Sequence, residues 1–303
     1  MSANLQKANF EFKALLGQGS FGQVYLVKRL RDGKEFVIKQ QEKTVNSELI
    51  TKMTTSEVQC LQVLRHPNIV SYYGAWQESD NFYILLEYAP RGTLKDLLNQ
   101  RTEPLTEKDS LYLFAQVVLG VHHIHSKNIL HRDLKPENIM LTGRMGDIVK
   151  IGDFGLSREL QGYDNKSHAG SYYYISPEML KREPYDFKSD IWSMGIIFYE
   201  MLSKELAFPA KDITEITDMI CKEEQKRLFT KVEVSVETEI IVYKMLLRDP
   251  DKRPSTRNLL LNPSMVRYIA KVYLNLGRAY AVPPEELSVQ MFLPYIKPPF
   301  QKT

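Results

Sequence analysis

The feature that most constrains this chain is a dense polar segment near its middle, His131-Arg132-Asp133-Leu134-Lys135-Pro136-Glu137-Asn138. Two short apolar runs follow it, at residues 139–141 and 148–151, and Asp153-Phe154-Gly155 comes directly after the second. Apolar runs of this length on either side of a turn predict a β-hairpin. Because a hairpin returns the chain to its starting point, the two polar segments are expected to lie close together.

These side chains suit one kind of chemistry. Asp133 can accept a hydrogen bond from an attacking hydroxyl group, and Lys135 can neutralise a phosphoryl group in transfer. Asn138 and Asp153 supply the oxygen ligands that Mg²⁺ prefers. Each residue alone is common, but their order and spacing together indicate a phosphoryl-transfer site.

A glycine-rich segment near the N-terminus predicts a phosphate-binding loop, Gly17-Gln18-Gly19-Ser20-Phe21-Gly22. The following residues read as a strand rather than a helix, and no Gly-Lys-Ser/Thr is present, so neither a dinucleotide fold nor a P-loop fits. A glycine hairpin over phosphates remains, because glycine lets backbone N–H groups approach phosphate oxygens closely. Val24, just beyond it, is expected to cover a flat apolar ring such as adenine.

A lysine on the next strand is the predicted partner of these phosphates. Strand alternation places Val37 and Lys39 on one face, beneath the glycine loop. Glu57 on the following helix is expected to hold the Lys39 ammonium group toward the phosphates. Glu48 is the rival carboxylate, but Glu57 has the apolar neighbours expected of a helix face that packs inward.

Composition sets the broad class. The chain has 303 residues with 40 Lys+Arg and 37 Asp+Glu, and a formal charge of +3. The basic residues are scattered, so we expect no direct nucleic-acid binding. The 2 cysteines have no disulfide or zinc spacing. No apolar stretch approaches the roughly 20 residues of a membrane span. We expect a cytosolic or nuclear protein with no membrane attachment.

Taken together, these motifs resemble the eukaryotic protein kinase superfamily over residues 10–268. The resemblance implies an α+β, bilobal protein-kinase fold, with a small β-rich N-lobe carrying one main helix and a larger, mostly helical C-lobe. It divides the chain into an N-terminal extension (1–9), an N-lobe (10–86), a linker (87–92), a C-lobe (93–268) and a short tail (269–303). The tail shows no sustained heptads, so no coiled coil is expected, and the oligomeric state stays open.

The resemblance also assigns further residues. Glu178 of Ser176-Pro177-Glu178 is expected to pair with Arg253, and Asp190 to anchor the catalytic loop. ATP and Mg²⁺ are the implied cofactors, and protein substrates the implied partners. Catalytic roles fall to Asp133, Lys135, Lys39 and Glu57, and magnesium binding to Asn138 and Asp153. Nucleotide binding is assigned to Gly17, Gln18, Gly19, Ser20, Phe21, Gly22, Val24, Val37, Lys39, Leu86, Glu87, Ala89 and Met140.

Within the superfamily, Lys135 two residues after Asp133 follows the Ser/Thr-kinase pattern. The segments around residues 151–160, 170–179 and 185–195 look most like the NimA-related (Nek) kinases, although Ser171 and Tyr172 depart from their Thr-Pro. A Ser/Thr kinase of the translation-factor stress-kinase type and a pseudokinase or scaffold module are the alternatives. A small-molecule kinase is disfavoured by the Ser-Pro-Glu segment.

Three finer expectations concern regulation and substrate choice. Ser167 stands where Neks carry their activating threonine, which predicts a phosphosite paired with Arg132. Leu156, after Asp-Phe-Gly, predicts serine over threonine as acceptor. Arg91 and Lys95, which follow the adenine-contacting segment Glu87-Tyr88-Ala89, are two cations expected to repel an arginine three residues before the acceptor, so an apolar or acidic residue is expected there.

Overall fold

An antiparallel sheet forms the first lobe of the computed structural model, which describes residues 5–19, 22–42, 47–155, 158–159, 172–221 and 228–280. Its elements are β1 (Phe10–Gly19), β2 (Gly22–Arg29), β3 (Glu35–Glu42), α1 (Ser47–Val63), β4 (Tyr72–Glu78) and β5 (Asn81–Glu87). The five strands lie in the order β1-β2-β3-β5-β4. This is the predicted β-rich N-lobe with one main helix.

The register of the sheet gathers the predicted nucleotide residues on one face. Val24 pairs with Lys39 across β2 and β3, and Val37 pairs with Leu86 across β3 and β5. Directly paired residues share a face, and so do residues two apart along a strand. Val24, Val37, Lys39 and Leu86 therefore point to the same side of the sheet.

The backbone conformation at the start of β2 requires a glycine at position 22. Its φ is +130°, and a Cβ built there would lie 2.0 Å from the Gln40 carbonyl oxygen. Around Gly17, by contrast, a Cβ would meet nothing within 4 Å. Gly22 thus fixes the close packing of β2 on β3, whereas Gly17 leaves open space beside the loop.

The second lobe is mostly helical. Its helices are α2 (Leu94–Gln100), α3 (Glu107–Ser126), α4 (Pro177–Leu180), α5 (Phe187–Ser203), α6 (Ile213–Cys221), α7 (Val236–Met245), α8 (Thr256–Leu260) and α9 (Pro263–Tyr280). The core is built on the two long buried helices α3 and α5, which meet where the rings of Phe114 and Phe198 stack with centroids 4.1 Å apart. The strands are β6 (Ile129–Leu130), β7 (Ile139–Thr142), β8 (Ile148–Ile151) and β9 (Arg158–Glu159).

Local capping explains where the core helices begin. The Thr106 side chain accepts a hydrogen bond from the Asp109 amide at the start of α3. Asp186 accepts one from the Lys188 amide, 2.8 Å away, at the start of α5. Each cap satisfies an amide that the first helical turn leaves without a partner. The sequence Thr106-x-x-Asp109 matches the pattern typical of a helix N-terminus, and α3 begins there.

The segment after α1 differs from the sequence prediction. The apolar and aromatic run at residues 69–73 reads as a strand in the sequence, but β4 begins at Tyr72. Ile69 instead forms a parallel bridge with Ile151, and the Val70 amide donates to the Ile151 carbonyl at 2.9 Å. The apolar pair Ile69-Val70 is buried against the hairpin of the second lobe, so it joins the two lobes rather than extending the sheet.

The predicted boundary between C-lobe and tail, at 268/269, falls inside α9. That helix continues to Tyr280, and Val272 and Leu276 are buried beyond the boundary. The apolar residues of this last helix pack on α3, so its second half belongs to the lobe.

The predicted N-terminal extension contacts the sheet of the first lobe. The Lys7 amide donates a hydrogen bond to Oε2 of Glu78, on β4, at 2.8 Å.

Candidate active site

Lys39, Glu57 and Asp153 meet between the two lobes. Lys39 Nζ lies 2.8 and 2.9 Å from the two carboxylate oxygens of Glu57 and 3.1 Å from Asp153 Oδ1. Lys39 comes from β3, Glu57 from the inward face of α1, and Asp153 from the segment after β8. The predicted pairing of Lys39 with Glu57 is confirmed, and α1 is therefore seated against the site.

Lys39 and Asp153 stabilise each other's charged forms, whereas burial and the Asp153 charge raise the pKa of Glu57. Burial alone would lower the pKa of Lys39, but the carboxylates of Asp153 and Glu57 outweigh it and raise that pKa above its ordinary value. In turn, the Lys39 ammonium group lowers the pKa of Asp153 to about 2. At neutral pH the site thus presents a lysine cation beside an ionised aspartate.

The catalytic loop brings three predicted residues together. Lys135 Nζ donates to Asp133 Oδ2 at 2.7 Å. The Asn138 side-chain nitrogen donates to the Asp133 carbonyl oxygen at 2.7 Å and to its Oδ2 at 2.9 Å. Asp133 is 9% exposed, so its carboxylate is nearly enclosed yet reaches the surface of the site. The loop holds this carboxylate with a cation and an amide, as a positioned hydrogen-bond acceptor requires.

Asp190, on α5, anchors this loop from below. Its Oδ2 accepts from the His131 backbone amide and its Oδ1 from the Arg132 amide, each at 2.9 Å. His125 Nε2 lies 2.8 Å from Oδ2. Burial would raise the pKa of Asp190, but these hydrogen bonds outweigh it and lower the pKa. The predicted anchor is confirmed; Arg132 has a φ of +71°, which this carboxylate helps to hold.

The Asp-Phe-Gly segment is fixed against the same loop. Asp153 has a φ of +57°, and Phe154 is 1% exposed. The His131 ring lies 5.0 Å from the Phe154 ring, and His131 Nε2 lies 3.1 Å from the Gly152 carbonyl oxygen. With Phe154 buried inward, Asp153 points toward Lys39.

The other residues predicted to bind the nucleotide differ in how exposed they are. Val24, Val37, Leu86, Ala89 and Met140 are all partly buried, which leaves apolar surface for a ring to cover. Glu87 has the same partial exposure, Gln18 is exposed, and Ser20 and Phe21 lie outside the described residues.

The segment Ser176-Pro177-Glu178 is held by the predicted ion pair. Arg253 Nη1 and Nη2 each donate to one Glu178 oxygen at 2.7 Å, and both side chains are almost fully buried. The Ser189 hydroxyl also donates to Glu178, at 2.6 Å. Burial would raise the pKa of Glu178, but Arg253 outweighs it and lowers the pKa. This bidentate pair fixes α4 to the end of the lobe.

Sequence reasoning missed a second buried lysine behind the site. Lys150 on β8 is 2% exposed, and its Nζ donates to Glu87 Oε2 at 2.9 Å. The same oxygen accepts from the Ser71 amide at 3.0 Å and its hydroxyl at 2.8 Å. The linker glutamate is therefore tied to both lobes. Lys150 and Glu87 are 63 residues apart, and nothing local in the sequence marks them as partners.

The fold and the site together define a protein kinase domain. In agreement, the sequence profile described as "Protein kinase domain" matches residues 10–265. The chain is 35% identical to the mouse serine/threonine-protein kinase Nek4 over 88% of its length, and 36% identical to the zebrafish Nek8 over 88%. It is 32% identical to the Caenorhabditis elegans serine/threonine-protein kinase nekl-2, covering 92% of this chain and 80% of that protein. The chain belongs to the protein kinase family and, within it, to the NimA-related serine/threonine kinases.

The match is to part of the larger relatives. The chain spans 34% of the length of Nek4 and 38% of that of Nek8. Along the described part of the chain, none of the helices combines the length and the apolar character that crossing a membrane requires.

Ser167 and Leu156 lie outside the described residues. The phosphosite and the serine preference assigned to them therefore stay predictions.

Proposed function

We propose that this chain transfers the γ-phosphoryl group of ATP to serine or threonine hydroxyls of protein substrates. The observation that carries the proposal is the assembled triad of Lys39, Glu57 and Asp153, facing a catalytic loop in which Asp133 is held by Lys135 and Asn138. Protein kinases as a family use ATP and Mg²⁺ for this transfer.

The donor set suits Mg²⁺. Asp153 is ionised at neutral pH because its pKa is lowered to about 2. The Asn138 nitrogen is engaged with Asp133, and within the described residues no hydrogen bond uses its side-chain oxygen. One carboxylate oxygen and one amide oxygen are hard ligands of the kind Mg²⁺ takes alongside phosphate oxygens and water. When bound, the metal would neutralise charge on the phosphates.

The residues of the chain divide the remaining work. Lys39, kept cationic by its two carboxylate partners, would hold the nucleotide phosphates. Asp133 would orient the acceptor hydroxyl and accept its hydrogen bond, while Lys135, 2.7 Å from that carboxylate, would offset the charge that develops in transfer. Catalysis by this site is mostly positioning and electrostatics.

The pseudokinase alternative predicts a defect in this machinery. The chain has all four residues of this machinery, Lys39, Asp133, Asn138 and Asp153. Lys39 contacts Asp153, and Asn138 contacts Asp133. The similarity to NimA-related kinases likewise favours that branch over the stress-kinase alternative.

Incubation with γ-labelled ATP, Mg²⁺ and a positional peptide library tests the proposal. We expect label on serine or threonine, abolished by chelation of the metal and by Asp153→Asn. Nucleotide binding without transfer to any peptide would contradict the proposal and support the scaffold alternative.

We further propose that phosphorylation of Ser167 raises activity. A phosphate adds about −1.5 to −2 charges, and a cationic partner near the catalytic loop would order the segment that carries it. Arg132 is the proposed partner, since its backbone is fixed by Asp190 beside Asp133. Ser167→Ala should lose the activation gained by preincubation with ATP. Full activation of that variant, with the phosphate mapped elsewhere, would refute the assignment.

A further inference from the structure

A polar cavity of about 280 Å³ opens in the second lobe beside the catalytic loop. Acidic and basic side chains share its wall with two tyrosines. The lining is Lys95, Leu98, Asn99, Glu137, Tyr173, Tyr174, Glu200, Lys204 and Leu206.

The cavity holds an internal ion pair. Lys95 Nζ on α2 lies 2.7 Å from Glu200 Oε1 on α5, and the Tyr174 hydroxyl donates to Glu200 Oε2 at 2.6 Å. Glu200 is 5% exposed, so its carboxylate is buried with both oxygens occupied. Burial together with the Glu200 charge raises the pKa of Tyr174, which keeps this tyrosine a neutral donor.

The two other charged side chains that line the cavity, Glu137 and Lys204, do not pair with each other or with Glu200 through any ion pair of the described residues. Glu137 is exposed, and no described side chain forms an ion pair with it. Lys204 donates to the backbone carbonyl oxygens of Arg101 and Thr102 rather than to a carboxylate. Lys95 is therefore the cation that sits on the buried carboxylate.

The position of the cavity connects it to the acceptor. Glu137 adjoins Asn138 in the 3₁₀ turn at Pro136–Asn138, four residues from Asp133. Tyr173 and Tyr174 precede the segment that α4 and Arg253 hold in place. A peptide that presented a hydroxyl to Asp133 would lie close to both segments, and one of its neighbouring side chains would then face the cavity that Glu137, Tyr173 and Tyr174 line.

We propose that Lys95 sets the charge preference of this substrate subsite. The Lys95 ammonium group already occupies the position beside the Glu200 carboxylate that a basic side chain of the substrate would need. An incoming arginine would have to displace Lys95 and leave it without its carboxylate, so the wild-type subsite disfavours arginine and accepts neutral side chains. This inference rests on the proposed kinase function.

The structure also revises the reason for the predicted rejection of arginine. The Arg91 guanidinium donates to the carbonyl oxygens of Gly143 and Arg144, at 3.4 and 2.8 Å, and so is directed to the turn between β7 and β8. The Lys95 ammonium group is paired with the Glu200 carboxylate, and its side chain is 30% exposed, so it does not stand as an unpaired surface cation. Occupation of the anionic subsite, rather than repulsion by two cations, disfavours the arginine.

Lys95→Met removes the competing cation and keeps most of the aliphatic stem. Glu200 then lacks its ion-pair partner, and a substrate arginine can supply one. A charge-assisted hydrogen bond contributes about 1.5–3 kcal/mol, so kcat/KM for a peptide with arginine at the subsite should rise roughly 10–100-fold relative to its alanine counterpart.

The test uses serine peptides with arginine or alanine at each of several positions upstream of the acceptor. The ratio of kcat/KM is measured for wild type, Lys95→Met, and Lys95→Met with Glu200→Gln. Lys231→Met is the matched control, because Lys231 forms a 2.7 Å ion pair with Glu205 at an exposed site. We expect the arginine ratio to rise at one position in Lys95→Met only, and to return toward the wild-type value in the double variant.

A binding measurement separates this inference from the proposed function. Kd is determined for the same peptides with alanine in place of the acceptor serine, with thermal melting to show that each variant is folded. Tighter arginine binding by Lys95→Met supports the subsite even if no transfer occurs. An unchanged ratio in a folded, active Lys95→Met, or the same gain in Lys231→Met, overturns it.

Discussion

Replacing Asp190 by asparagine removes one charged oxygen from beneath the catalytic loop while preserving side-chain shape. Each Asp190 oxygen accepts one backbone amide, that of His131 or that of Arg132, at 2.9 Å. In either orientation, an asparagine would place its NH₂ group against one of these amides. One charge-assisted hydrogen bond is lost and one buried donor loses its acceptor.

The expected change in the free energy of unfolding follows from the lost hydrogen bond and the unpaired donor. A hydrogen bond to a charged group contributes about 1.5–3 kcal/mol, and a buried donor without a partner costs about 1–3 kcal/mol. Since the two overlap, we expect Asp190→Asn to lower the free energy of unfolding by about 2–4 kcal/mol. Loosening the loop should also displace Asp133 and reduce kcat by about 10²-fold, the cost typical of a 1 Å misplacement.

Urea denaturation of wild type, Asp190→Asn and Asp186→Asn measures this effect. Asp186 caps the same helix at an exposed site, where asparagine is as good a cap as aspartate. The Asp186→Asn variant should therefore remain within about 0.5 kcal/mol of wild type. Equal unfolding midpoints for the two variants would refute the anchoring role.

Three further changes have defined outcomes. Glu178→Gln leaves the buried Arg253 guanidinium without its anion and should cost about 3 kcal/mol in urea denaturation, against less than about 0.5 for the exposed Glu183→Gln; equal costs would contradict the buried pair. Because folding lowers the pKa values of Asp190 and Glu178, the stabilisation they give is complete above about pH 4, where unfolded carboxyl groups titrate, and is lost as the pH falls below it. Urea midpoints from pH 7 to pH 3 should fall less steeply in Asp190→Asn than in wild type; an identical slope would contradict this linkage. Leu156→Ile should shift acceptor preference from serine toward threonine with unchanged ATP affinity, as measured on paired peptides; an unshifted ratio would contradict it.

Local patterns were sufficient to predict the catalytic loop, because its side chains are close in sequence as well as in space. Asp133, Lys135 and Asn138 lie within six residues and contact one another directly. Glu57 could be chosen over Glu48 because apolar spacing fixes the inward face of α1. Residue chemistry and periodicity carry such information without knowledge of the fold.

Contacts across distant segments could not be predicted this way. Lys95 and Glu200 are 105 residues apart, and each reads as an ordinary charge on a helix. Their pairing depends on how α2 packs near the end of α5, which only the assembled lobe determines. The segment at Ile69 shows the same limit, since its apolar residues suit a sheet strand equally well and only the hairpin supplies their partner, Ile151.

The role of Asp133 is tested by measuring the rate of phosphoryl transfer by Asp133→Asn beside the affinity of that variant for ATP. In the proposed mechanism Asp133 acts on the acceptor hydroxyl, whereas Lys39 holds the nucleotide phosphates. ATP should therefore bind within about twofold of wild type, while transfer to a serine peptide falls by about 10²–10⁴-fold, as expected for loss of a positioned base. An unchanged transfer rate in the folded variant would contradict the role of Asp133 and, with it, the proposed mechanism.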